Sequence, residues 1–209
     1  MGELFVKICG VTIFDDALCA VENGADAIGF NFYPQSKRYI SPDRAAGIID
    51  RLPASVMKIG VFVNPARKDV HAAIKSSGIN GLQFSGSELP EAVSGYQLPV
   101  IKAIHVASRE SIREMKSFGV IDFLLDTFSS DEFGGTGKLF DWDVVMEAKS
   151  FGKVIVAGGL TPENVADAVR TAKPYGVDVS SGVELRAGIK DHKKIAAFIL
   201  RAREAYTTK

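Results

Sequence analysis

Cysteine is nearly missing from this chain: 209 residues contain two, Cys9 and Cys19. Two thiols build no disulfide framework, so a reduced setting is expected. Histidine is scarce as well, and His71, His105 and His192 are separated too widely to give a metal-ligand spacing. Net charge is absent, since Lys+Arg 25 balance Asp+Glu 25. No overall field therefore draws the chain to nucleic acid or an anionic membrane, and any anionic ligand must be held by local groups. No apolar run approaches membrane length. The opening M-G-E-L-F-V-K-I-C-G has neither a basic n-region nor a long apolar h-region, and Val6 stands where a myristoylation signal wants Ser or Thr. A soluble, cytoplasmic protein is the expectation. G-G-T-G at 134–137 lacks the G-x-G-x-x-G spacing of a dinucleotide site.

What is present is ordinary globular composition, 46% hydrophobic and 24% charged, enough for one domain spanning residues 1–209 with a large core. The organising stretch is Lys153–Glu184. It reads K-V-I-V-A-G-G-L-T-P-E-N-V and, after a helix-length gap, V-D-V-S-S-G-V-E. Each half is a β-branched run ending in small residues, Gly158-Gly159 in the first and Ser180-Ser181-Gly182 in the second. Small residues let backbone N–H groups come close to a ligand, and Thr161-Pro162-Glu163-Asn164 has the N-cap hydroxyl, first-turn proline and acid of a helix start. Two such turns on adjacent parallel strands form a cup for a phosphate dianion. In a β/α barrel that cup follows the seventh and eighth strands.

Six strand–helix units precede it. Strands are expected at Leu4–Ile8, Ala27–Phe32, Lys58–Val63, Gly81–Phe84, Val100–Ala103 and Val120–Leu125. Helices are expected over Thr12–Asn23, from Ser41-Pro42-Asp43 to Leu52, from Asn64-Pro65 to Ser77, near Leu89–Val93, over Ser108–Phe118, over Asp141–Ser150 and over about Ile189–Tyr206. Gly24 stops the first helix, and Tyr33–Ile40 is an unusually long loop. The strands are continuous apolar runs, as a parallel sheet covered by helices requires. No consensus recurs from unit to unit, which argues against a solenoid. An open doubly wound sheet is the rival; eight units with almost no long insert favour closure. The expected fold is a (β/α)8 TIM barrel of eight parallel strands.

In such a barrel the active site lies at the C-terminal ends of the strands. The residues offered there are Cys9, Arg38, Asn64, Gln83, Ser85, Lys102, Asp126 and the two small-residue turns. Alternation puts Lys7 on the same face as Cys9, one layer deeper, and Asp178 on the same face as Ser180. Closure makes the eighth strand the neighbour of the first, so Asp178 is the expected partner of a buried Lys7, whose unpaired ammonium would be costly. A carboxylate at an apolar strand end, as at Asp126, can cap a loop or serve as an acid with a raised pKa, Arg38 can be a solvated loop charge, and a strand-end thiol can be a base or a small buried hydrophobe.

Taken together the chain resembles phosphoribosylanthranilate isomerase of tryptophan biosynthesis. The matching segments are V-K-I-C-G, G-A-D-A-I-G-F-N-F-Y-P-Q-S-K-R-Y-I, G-V-F-V-N, L-L-D-T-F with G-G-T-G-K-L-F-D-W, A-G-G-L-T-P-E-N-V and G-V-D-V-S-S-G-V-E, in that order from first strand to last. The resemblance implies an Amadori rearrangement of N-(5-phosphoribosyl)anthranilate to 1-(2-carboxyphenylamino)-1-deoxyribulose 5-phosphate, with no cofactor. It implies Cys9 as general base, Asp126 as general acid, Arg38 on the anthranilate carboxylate, and Gly158, Gly159, Ser180, Ser181 and Gly182 around the phosphate. The thiol would serve as base if its pKa fell toward neutrality. One departure is Gln83-Phe84-Ser85-Gly86, where the family has Q-L-H-G. The implied partner is a small phosphosugar substrate, and monomer and homodimer are both compatible with the sequence. Two rivals are the related isomerase of histidine biosynthesis, which would want Asp at position 9 and a second glycine-rich phosphate turn, and a non-catalytic phosphosugar-binding barrel.

Overall fold

Apolar runs buried on both faces leave a parallel sheet no exposed surface except its edges, and closure removes those. The computed structural model, which describes residues 3–106, 109–120, 122–126 and 142–207, has this closed form. Its strands are β1 (Phe5–Cys9), β2 (Ala27–Asn31), β3 (Met57–Phe62), β4 (Gly81–Phe84), β5 (Val100–His105), β6 (Asp122–Asp126), β7 (Lys153–Ala157) and β8 (Gly176–Val179), in spatial order around the barrel. The β1–β8 seam pairs Val6 with Val177 and Lys7 with Asp178. Alternation divides each strand between two cores. Val6 and Ile8 join the large layer beneath the helices, whereas Phe5, Ala27, Met57, Ile59, Ile101, Ala103, Leu124, Ile155 and Ala157 fill the barrel itself.

The outer layer is α1 (Phe14–Glu22), α2 (Pro42–Ile49), α3 (Arg67–Ser77), α4 (Pro90–Val93), α5 (Arg109–Arg113, continued by a 3-10 turn Glu114–Ser117), α6 (Trp142–Ala148), α7 (Val165–Ala172) and α8 (His192–Thr207). Ser41 caps α2 as expected, its hydroxyl accepting the Arg44 N–H at 3.3 Å. Gly24, with φ +93, ends the turn after α1. The glycine-bearing segment 129–138 lies outside the described residues.

Among the described residues four expected helix starts move; α1 opens at Phe14 and not at Thr12, and the other three have a visible cause. Asn64 adopts φ +46, which is not helical, and its side chain accepts the Ser87 N–H at 2.9 Å; α3 therefore waits until Arg67. Thr161 caps a turn and not α7 itself: its hydroxyl accepts the Glu163 N–H at 3.2 Å, and the helix begins at Val165. Asn164 ties that turn back to the strand end, accepting the Thr161 N–H at 2.8 Å and donating to the Gly159 carbonyl at 2.9 Å. The last helix does not reach back to Ile189. Glu184–Arg186 (β9) and Ile189–Lys190 (β10) form an antiparallel ribbon, turned at Gly188 with φ +82. The Asp191 carboxylate accepts the N–H groups of Lys193 and Lys194 at 2.9 and 3.3 Å, so α8 starts at His192.

Candidate active site

Cys9 ends β1 and is 8% exposed. One layer below, the Lys7 ammonium is fully buried and donates to Asp178 Oδ1 at 2.7 Å across the β1–β8 seam. Gly29 shows why β2 has glycine beside them: a Cβ there would come within 2.8 Å of Cys9 Sγ and 3.1 Å of Lys7 Nζ. Burial alone would push Lys7 down; Asp178 and Cys9 overcome it and the ammonium is pushed up to about 12. Burial pushes the Cys9 thiol up, with Lys7 working against that rise. The direction is opposite to the fall toward neutrality that easy thiolate formation wants, so the free protein keeps Cys9 as a thiol at neutral pH.

Arg38 comes from the long loop after β2, and its stem lies against Gly10, immediately after Cys9. A Cβ on Gly10 would meet Arg38 Cδ at 2.8 Å and Ser180 Oγ at 2.9 Å, and its φ of +71 favours glycine in any case. The loop therefore folds back over the ends of β1 and β8. The Arg38 guanidinium is taken side-on by Glu184: Nε donates to Oε1 at 2.9 Å and Nη2 to Oε2 at 2.8 Å. Behind that pair, the buried Lys190 ammonium donates to Glu184 Oε1 at 3.0 Å, the Cys9 carbonyl at 2.6 Å and the Ser180 carbonyl at 3.1 Å. Burial pushes Glu184 up, but Arg38, Lys190 and the Gly188 N–H outweigh it and hold its carboxyl below the usual range.

The two small-residue turns lie against each other. Gly158 and Gly159 both have positive φ, 84 and 64. A side chain at Gly182 would run into the Leu160 carbonyl, so the turn after β8 rests directly on the turn after β7. Ser181 begins a 3-10 turn over Ser181–Val183, and Ser180 Oγ is buried with no hydrogen-bond partner among the described residues. Asp126 is the last residue of β6, half-buried and in register with His105 and Ala157. It shares the C-terminal rim with Cys9, with β7 and β8 between them in the ring.

Other strand-end candidates are engaged away from this seam. Lys102 is buried against Glu88, donating to its Oε2 at 2.7 Å and to the Gly86 carbonyl at 2.7 Å. Glu88 also accepts the Asn64 N–H at 2.8 Å, so Lys102 and Asn64 brace the loop after β4. Gln83 donates from Nε2 to Ser85 Oγ at 3.0 Å, which leaves buried Gln83 Oε1 without a partner among the described residues. Sequence reasoning misses Glu184, Lys190 and Glu88. Glu184 closes the G-V-D-V-S-S-G-V-E segment and is the one with a visible signal; Lys190 is hidden in the expected helix. Among the described residues no three His, Cys, Asp or Glu side chains cluster as metal ligands, and no helix is long and apolar enough to cross a membrane.

The profile of the N-(5'phosphoribosyl)anthranilate (PRA) isomerase family matches residues 6–201. The N-(5'-phosphoribosyl)anthranilate isomerase of Geotalea uraniireducens (strain Rf4) is 47% identical over 198 residues, covering 95% of this chain and 98% of that protein. The crystal structure of phosphoribosyl anthranilate isomerase from Thermotoga maritima superposes with a TM-score of 0.87 at 42% identity, over 96% of this chain and 99% of that one. A phosphoribosyl anthranilate isomerase in complex with reduced 1-(o-carboxyphenylamino)-1-deoxyribulose 5-phosphate superposes with a TM-score of 0.85 at 39% identity, over 96% and 99%.

Proposed function

The chain belongs to the N-(5'-phosphoribosyl)anthranilate isomerase family, and from that premise we propose that it converts N-(5-phosphoribosyl)anthranilate to 1-(2-carboxyphenylamino)-1-deoxyribulose 5-phosphate, with Cys9 as general base and Asp126 as general acid. The observation that carries this reading is the convergence at one rim: Cys9 and Asp126 end β1 and β6, and the Arg38 stem lies against Gly10 beside the thiol. Asp126 gives its proton to the ribose ring oxygen. The C1–O bond then breaks as the anilino nitrogen supplies its lone pair, leaving an iminium. Cys9, having released its own proton to solvent, removes as thiolate the C2 proton, now acidic beside that cation, and the resulting enolamine becomes the ketone as C1 takes up a proton and the C2 hydroxyl loses one.

Burial disfavours the thiolate, and two features offset it: the Lys7 ammonium and the iminium cation formed next to it. Gly158, Gly159, Ser180, Ser181 and Gly182 hold the phosphate, and Arg38 the ring carboxylate by a two-bond fork. Both anchors fix the ribose so that each proton meets its partner. Turnover, followed as loss of the fluorescence of phosphoribosylanthranilate, tests the reading. The wild type should consume the substrate and Asp126→Asn should lose about 10²–10⁴-fold in kcat. A wild type that binds the reduced product without turning substrate over would leave only a phosphosugar-binding barrel.

A further inference from the structure

Arg38 is not a free cation waiting for a ligand. Of its five N–H donors, Nε–H and one on Nη2 already go to Glu184, at 2.9 and 2.8 Å. Among the described residues, side-on pairing on that edge leaves the end-on fork, Nη1 with the other Nη2 hydrogen, to take a second carboxylate. Glu184 is itself fixed: its side chain is 5% exposed, Oε1 accepts the Gly188 N–H at 3.1 Å, and Lys190 adds a third donor at 3.0 Å. Lys190, fully buried, reaches on to the carbonyls of Cys9 and Ser180. The β9–β10 ribbon thus supplies a carboxylate and an ammonium that fasten one loop arginine to the ends of β1 and β8.

We propose that Glu184 is the positioning residue for carboxylate recognition. It presents the end-on fork of Arg38 in one orientation, so that the ring carboxylate binds as a second carboxylate and does not displace Glu184. Lys190 balances the charge: Arg38 and Lys190 give two cations against Glu184, and the ligand carboxylate brings the cluster to neutrality. An arginine with 27% of its side chain exposed and no such partner would sample many rotamers and lose that entropy on binding. The inference rests on the proposed role of Arg38 and adds to it the residue that makes that role specific.

The test compares two ligands of the whole protein: the reduced product carrying the ring carboxylate, and the same compound made from aniline, which lacks it. Wild type should prefer the first by about tenfold to a hundredfold, as for hydrogen bonds between charged groups. Glu184→Gln should shrink that preference several-fold while leaving affinity for the aniline compound within about twofold, and Glu184→Asp should restore part of it. Loss of affinity for both ligands alike would mark Glu184 as merely structural and overturn the proposal, as would an unchanged preference. If the wild type shows no preference, the role of Arg38 fails and the proposal with it; a preference that Glu184→Gln retains overturns the proposal alone. Should the variant not fold, a crystal structure of wild type with the reduced product decides. Arg38 must keep both bonds to Glu184 while Nη1 and Nη2 meet the ligand, and a ligand carboxylate seated in place of Glu184 contradicts the proposal.

Discussion

At the scale of the residue, two ion pairs at the seam of this barrel, Lys7 with Asp178 and Arg38 with Glu184, join distant parts of the chain. Lys7 and Asp178 are 171 positions apart and 2.7 Å in space. Removing one partner leaves a buried charge, so Lys7→Met should cost about 3–5 kcal/mol. Lys7→Met with Asp178→Leu should cost less than Lys7→Met alone, and a denaturation series in which the two effects simply add would refute the coupling. The same pair sets an alkaline limit. With Lys7 raised from 10.5 to about 12, its contribution is fully present below about pH 10.5 and is lost as pH rises through 12. Wild type should therefore lose more stability over that interval than the double variant does; equal losses would remove Lys7 from the account. This pair is legible in the sequence, because strand alternation and barrel closure suffice to deduce it. Glu184 and Lys190 are not, because their meeting depends on a short two-stranded ribbon and a glycine turn that periodicity does not announce.

At the scale of the element, apolar runs locate the eight strands to within one or two residues at most ends, since a strand buried on both faces has one readable signal. Helix starts are less legible. At α3 and α7 the residues that look like caps serve the preceding loop, where Asn64 bonds the backbone of the loop after β4 and Asn164 bonds that of its own turn. Those loops are what the strand ends carry, and the paired turns after β7 and β8 rest directly on each other. Gly182→Ala drives a Cβ into the Leu160 carbonyl, so it should destabilise by about 1–3 kcal/mol, as overpacking does. It should also weaken inorganic phosphate binding by about tenfold, the loss of one charge-assisted contact. Titrating phosphate against wild type and Gly182→Ala checks this, and unchanged affinity would move the phosphate out of the cup.

At the scale of the whole molecule, closure brings the first strand beside the last, and it is at this seam that we propose the chemistry takes place. Cys9, Lys7 and Gly10 from one end of the sequence meet Asp178, Ser180, Glu184 and Lys190 from the other. Asp126 ends β6 on the same rim, with β7 and β8 between it and Cys9. The helix α8 holds the seam shut from outside, with Ile195, Phe198, Ile199, Ala202 and Ala205 buried. At the far end of the barrel Arg203 donates to the carbonyls of Leu4 and Gly24. Fold and family are legible in the order of the segments; the division of labour within the site is not, because a buried thiol's basicity depends on charges around it that only three dimensions supply. The measurement that bears most directly on it is kcat for Cys9→Ala, set beside that variant's affinity for the reduced product. A general base predicts a fall of about 10²–10⁴-fold with affinity kept within a few-fold, whereas a variant retaining more than about a tenth of wild-type kcat would make Cys9 a packed strand-end thiol and assign the base to another residue.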